Sequence, residues 1–187
     1  MKDRRAHIIV ISGPTGVGKT TLAQELVKRL GALHVSTSSL ISSIRPALSP
    51  GRAFLQLAGN SLDEETNFRW IADEVSTLER EFPDHSLVVD AVRKPEQVLV
   101  LRAQTTLNLT HVHLGAGYDH LVHRHSLRSR DIDAGQDYSV LAKDVSESYQ
   151  SELAGISDLM LDAENASPSQ LGEKVVSFLD VAVTDIA

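Results

Sequence analysis

AHIIVISGPTGVGKTTLAQELVKRLG, residues 6–31, decides how the rest of the chain is read. It opens on an aliphatic run with the composition of a strand, 6–11, and closes on a helical pattern, 19–30, stopped by Gly31. Between them lies GPTGVGKT, residues 13–20, which satisfies the phosphate-loop pattern GxxxxGK[ST] in the context that pattern requires, strand before and helix after. Gly13, Gly16 and Gly18 let backbone N–H groups turn inward around a phosphate, and the helix N-terminus adds a field that favours anions. Pro14, Thr15 and Val17 complete the loop. Lys19 is expected to bridge the outer phosphates of ATP, the Thr20 hydroxyl to ligate Mg2+, and Thr21 to donate to the α-phosphate. The same cradle serves kinases, GTPases, motor ATPases and some transferases, so the reaction must be read elsewhere.

Working outward, apolar runs of strand length recur at 33–36, 87–90, 110–114 and 158–162, alternating with helical patterns. That alternation points to an α/β domain of parallel strands joined by crossover helices. Helices are expected over 37–44, 63–81, 95–104, 118–129, 139–153 and 168–183, the last entered through Ser167 and Pro168. The stretch RPALSPGRAFLQLAGN, 45–60, is rich in Pro, Gly and Ser at its start and reads as mobile backbone suited to a substrate flap.

The 187 residues suit a single domain, expected to cover 1–187. There is no cysteine, so neither disulfides nor a thiolate metal site holds the fold, and a cytoplasmic location is expected. Four consecutive large apolar residues before Ser12 are too few for a secretory segment, and no run approaches a membrane span. With 18 basic and 25 acidic side chains the formal charge is -7, which argues against nucleic acid and towards a small-molecule partner. A monomer or homodimer is expected.

The order of short motifs after the loop resembles that of adenylate kinase and its nucleoside monophosphate kinase relatives over nearly the whole chain. HVSTSSLI, 34–41, resembles the segment HxSTGDLL, and the resemblance implies that Thr37 lines an acceptor pocket. The glycine and aspartate of that motif are Ser38 and Ser39 here, and Ser42 stands where an arginine usually grips the acceptor phosphate. Arg45 or Arg52 is the candidate to supply the missing charge. LAGNSLDEETNFRWIADEV, 57–75, resembles the stretch that closes over the acceptor. LVVDAVRKPEQ, 87–97, is similar to DGFPRxxxQ with one residue fewer before the arginine. By that likeness Asp90 holds Mg2+ through water and is the base candidate, Arg93 grips the acceptor phosphate, and Gln97 touches the acceptor base. LVHRHSLRSRD, 121–131, resembles a lid entrance, with Arg124 and Arg128 at i and i+4 on one helical face and Arg130 beyond them. Such arginines neutralise charge on a transferring phosphoryl group.

The resemblance, with crossover handedness, implies a three-layer P-loop kinase fold: a parallel five-stranded sheet in the order 2-3-1-4-5, helices on both faces, an acceptor flap over 37–82 and a short lid over 115–137. The expected activity is transfer of the γ-phosphoryl group of ATP to a nucleoside monophosphate or nucleotide-like acceptor. Rival readings are a kinase of a metabolite such as a sugar acid or shikimate, a tRNA-modifying prenyl transferase, whose loop shares the wording GPTGVGKT, and a regulatory module that binds nucleotide without transferring it. Eight histidines invite a zinc hypothesis, but no two of His120, His123 and His125 lie four apart and no thiol joins them. His111 and His113 share one face of a strand, and Trp70 reads as packing rather than base stacking.

Overall fold

Ile8, Ile9, Val10 and Ile11 have no solvent exposure, so the first strand is covered on both faces and must lie inside the sheet. Each such side chain contributes roughly 1.5–3 kcal/mol of burial. The computed structural model describes residues 5–47, 51–127 and 148–184. In chain order the elements are β1 (His7–Ser12), α1 (Lys19–Leu30), β2 (Leu33–Ser36), α2 (Thr37–Ile44), α3 (Arg52–Thr66), α4 (Trp70–Glu81), β3 (Leu87–Asp90), α5 (Pro95–Gln104), β4 (Asn108–Gly115), α6 (Tyr118–Ser126), α7 (Gln150–Gly155), β5 (Leu159–Asp162) and α8 (Pro168–Thr184).

The sheet order is β2-β3-β1-β4-β5, every pairing parallel, as the sequence implied. Side chains of β1 alternate between two cores. Ile9 and Ile11 join Leu22 and Leu26 of α1, Val112 and Leu114 of β4, and Val175 of α8. Ile8 and Val10 join Ile71 and Val75 of α4 and Val98 and Leu101 of α5. A period of two along a parallel strand gives helices on both faces, hence three layers. No described helix is long and apolar enough to cross a membrane.

The expected helix over 63–81 is wrong at its start. The structure has two helices there, broken at Asn67 and Phe68, whose φ angles of 50° and 63° are left-handed. Asparagine tolerates that conformation, and the Thr66 hydroxyl accepts the amides of Arg69 and Trp70 at 3.1 and 3.2 Å, opening α4 in a new direction. The flap stretch is also corrected. From Arg52 onward it is helix, because Leu55, Ala58 and Leu62 recur at helical spacing and pack into the β2 side of the core. At the other end of the chain, α6 stops at Ser126, and of the helix expected over 139–153 only its end falls among the described residues, as part of α7.

Candidate active site

The carboxyl ends of β1 and β3 and the amino end of α1 converge on one cleft, where an open parallel sheet places its ligands. Gly13, Gly16 and Gly18 adopt φ of 139°, 92° and 109°, which L side chains rarely adopt. Gly13 has a second constraint: a Cβ there would sit 2.4 Å from the carbonyl oxygen of Leu114 on β4. The loop is thus pressed against the sheet with its curve turned outward. Val17 anchors it by burying its side chain in the α1–α8 core. Lys19 Nζ donates to the carbonyls of Gly13 and Pro14 at 2.6 and 2.8 Å, which folds the ammonium across the mouth of the loop.

A cavity of about 180 Å³ lies against this loop. Thr15, Gly16, Gly18, Lys19, Thr20 and Thr21 line one side, and Thr37, Arg52, Asp90 and Arg93 the other. Asp90 is only 8% exposed, with His34 Nε2 3.6 Å from its Oδ2. The Thr20 hydroxyl and the Asp90 carboxylate are oxygen donors of the kind Mg2+ takes, and they face the same space, so the residues fit that ion. When bound, it would neutralise charge on the outer phosphates.

Thr37 opens α2 and is tied to the end of β3: its hydroxyl donates to the Ala91 carbonyl at 3.0 Å. Together with Ser38, Leu55, Ala91 and Arg93 it borders both the main cleft and a narrower slot of about 50 Å³. Ile41, Leu55, Gly59, Trp70 and Ala91 supply the slot's apolar walls, while Gln56, Asn60, Lys94 and Gln97 give it polar edges. Gln97 borders the slot, but its Oε1 accepts the Arg93 and Lys94 amides at 2.9 and 3.3 Å, capping α5, and its Nε2 donates to Asp63 at 2.9 Å. Only one amide hydrogen is left for a ligand.

The structure separates the two flap arginines. Arg52, at the start of α3, reaches the phosphate loop and donates to the Thr15 hydroxyl at 2.8 Å. Arg45 pairs with Glu65 on the surface and does not border the cleft. Ser61 and then Arg45 hold the Glu65 carboxyl below its ordinary pKa. From the opposite side, Arg124 on α6 donates to the Val17 carbonyl at 2.7 Å. It borders a third cavity, about 220 Å³, with Gly18, Thr21, Leu127, Ala166, Pro168 and Leu171. Arg128 and Arg130 lie outside the described residues.

Sequence reasoning missed what lies beneath the loop. The Ser12 hydroxyl, at the end of β1, is 2.7 Å from His111 Nε2 and 2.9 Å from His113 Nδ1, all three side chains buried. Burial holds both imidazoles neutral, at a pKa of about 4, with the Lys19 charge also acting on His113. The shared strand face of the two histidines was legible; their common partner was not. Among the described residues no group of His, Cys, Asp and Glu is placed to hold a metal ion by itself.

Comparison with known proteins gives the same picture of the fold and leaves the acceptor open. One stretch is 40% identical over 53 residues to a guanylate kinase of Bradyrhizobium diazoefficiens, covering 28% of this chain and 24% of that protein. Another is 37% identical over 71 residues to a cytidylate kinase of Geobacter sulfurreducens, covering 35% and 30%. The chain therefore spans about a quarter to a third of the length of these curated relatives. Three solved structures overlay nearly end to end. The Deinococcus radiodurans tunicamycin resistance protein has a TM-score of 0.63 at 20% identity, covering 94% of this chain and 96% of that one. The Mycobacterium tuberculosis APS kinase has 0.61 at 16%, covering 94% and 98%. The Aquifex aeolicus shikimate kinase has 0.62 at 12%, covering 95% and 98%. At such identities the likeness is one of fold, and the fold is that of the P-loop kinases. The AAA domain family model matches residues 8–137, more than half of the sequence, and the chain belongs to that family of P-loop domains.

Proposed function

We propose that the protein is an ATP-dependent phosphotransferase whose acceptor is a nucleoside monophosphate. The observation that carries this reading is the division of the acceptor side into two joined parts. A polar chamber holds Arg52, Arg93 and Lys19, and a mainly apolar slot opens from it between Leu55, Ile41 and Trp70. A phosphate beside the arginines and a base in the slot satisfy both at once. A hydroxylated, non-aromatic metabolite leaves the apolar walls without a partner.

In this reading ATP sits on residues 13–21, and a phosphate oxygen of the acceptor attacks the γ-phosphorus as the bond to the β-phosphate oxygen breaks, releasing ADP. Lys19 and Arg124 approach the loop from two sides and offset the charge on the transferring group, with Arg128 and Arg130 as further candidates. Asp90 is placed to orient the acceptor or hold Mg2+ through water. The test is to incubate the protein with Mg-ATP and a panel of nucleoside monophosphates, nucleosides, sugar acids and shikimate, and to follow ADP. Formation that depends on a nucleoside monophosphate supports the proposal. Turnover with a sugar acid or shikimate alone replaces it with the metabolite-kinase reading that the altered STSS segment, residues 36–39, permits. ADP release indifferent to every acceptor replaces it with a nucleotide-binding regulatory module.

A further inference from the structure

Under the wall of the acceptor slot, Asp63 gathers three donors. Trp70 Nε1 lies 2.7 Å and Gln97 Nε2 2.9 Å from its Oδ1, and Lys94 Nζ lies 2.9 Å from its Oδ2. Asp63 is 2% exposed, so the carboxylate organises the slot from behind and offers a ligand almost nothing. Gln97 is similarly spent, with both carbonyl lone pairs taken by backbone amides. Lys94 differs. An ammonium has three N–H groups, and among the described residues its one charged partner is Asp63, in an ion pair at 2.9 Å. Its side chain is 16% exposed and borders the slot, with Nζ 5.6 Å from the Phe68 ring centroid. A flat ring beside Trp70 therefore meets a cationic donor, and the nearest carboxylate is already occupied.

We propose that Lys94 selects the base of the acceptor by an oxo group, so that the slot takes a 6-oxopurine in preference to its 6-amino counterpart. This rests on the reading that the acceptor is a nucleoside monophosphate. A carbonyl oxygen at Lys94 receives a charge-assisted hydrogen bond, which is among the stronger kinds. An amino group in the same place sets N–H against N–H and leaves a partly desolvated ammonium facing no acceptor. A site built to satisfy one group rejects the analogue that leaves its own polar atoms unpaired.

IMP and AMP differ at the purine 6-position, oxo against amino, and form the cleanest probe pair. The measurement is kcat/KM for each with Mg-ATP, in the wild type, Lys94→Met and Lys94→Arg. The wild type should favour IMP by about 10- to 100-fold, the span one charge-assisted hydrogen bond covers. Lys94→Met should bring the ratio close to one, chiefly through a raised KM for IMP, and Lys94→Arg should retain an IMP preference. Should Lys94→Met fail to fold because Asp63 loses its counter-charge, the Asp63→Asn, Lys94→Met double variant removes both charges and carries the same measurement. Equal use of IMP and AMP by the wild type overturns the inference, as does an unchanged ratio in a Lys94 variant that melts like the wild type. A wild type that phosphorylates neither these nor any other nucleoside monophosphate overturns the acceptor reading itself, a distinguishable result.

Discussion

Arg52 Nη2 donates to Thr15 Oγ1 at 2.8 Å, joining the first residue of α3 to the phosphate loop. This bond bridges the element that walls the slot and the phosphate loop, so in the proposed reading the arginine stands between the donor and acceptor phosphates. Arg52→Ala is expected to lower kcat/KM for the acceptor by roughly 10- to 100-fold, the range for losing a hydrogen bond to a charged group. Thr15→Val, which removes only the strap, should cost far less. Steady-state kinetics with Mg-ATP saturating separates the two. Equal losses in both variants would reduce Arg52 to a brace for the loop.

Lys19 and Gly13 make opposite predictions. Lys19→Ala leaves every backbone conformation accessible and should keep the circular dichroism spectrum while lowering turnover by at least about 10³-fold, as expected for a lost charge at transferring phosphates. Gly13→Ala changes no charge, yet its Cβ would meet the Leu114 carbonyl at 2.4 Å at a φ of 139°. A displaced loop and a lower melting temperature are expected, with a cost of about 1–3 kcal/mol for overpacking. Thermal melts of the two variants, followed side by side, check both statements.

Much of this arrangement was legible in the sequence. The five strands are short aliphatic runs, and their order needed only the crossover rule and the resemblance. The bounds of α2 matched because Ser36 caps it and Pro46 follows its end. The break between α3 and α4 escaped because Asn67 and Phe68 bend the chain by a left-handed turn that leaves no trace in the hydrophobic period. Arg45 and Arg52 were equivalent as residues, and only tertiary placement put one in the cleft and the other against Glu65. The Ser12 pair with His111 joins residues 99 apart in the chain, a contact that no local spacing announces.

In the sequence Asp63 stands only as the first residue of the helix expected over 63–81, and its burial makes it a stability determinant. Asp63→Ala strands the Trp70 indole N–H, a Gln97 N–H and the Lys94 ammonium in a mostly dry pocket. Removing one partner of a buried charged pair costs about 3–5 kcal/mol, so a drop of that order in unfolding free energy is expected. Asp63→Asn keeps an oxygen for Trp70 and should lose less. Urea denaturation of the two variants measures the difference, and a near-native Asp63→Ala midpoint would show that the pocket is wetter than its burial implies.

The histidines beneath the phosphate loop set a pH dependence whose sign follows from their neutrality. His111 and His113 titrate near 4 in the folded chain because burial, and for His113 also Lys19, disfavours the charged form. In the unfolded chain they titrate near 6.5, so between those values the unfolded state binds more protons and stability rises with pH. Above 6.5 both states are neutral at these positions and the contribution is constant. Below 4 both are charged, and the loss is complete. For each of these two histidines the span is at most about 3 kcal/mol. Burial lowers the His7 pKa as well, which acts in the same direction. Urea midpoints at pH 7.5 and pH 5 should therefore differ markedly. Replacing His111 by Gln, which offers Ser12 a polar partner without a titrating proton, should flatten the slope, and a wild-type midpoint unchanged across this interval would mean that the imidazoles take up protons as readily in the folded chain as in the unfolded one.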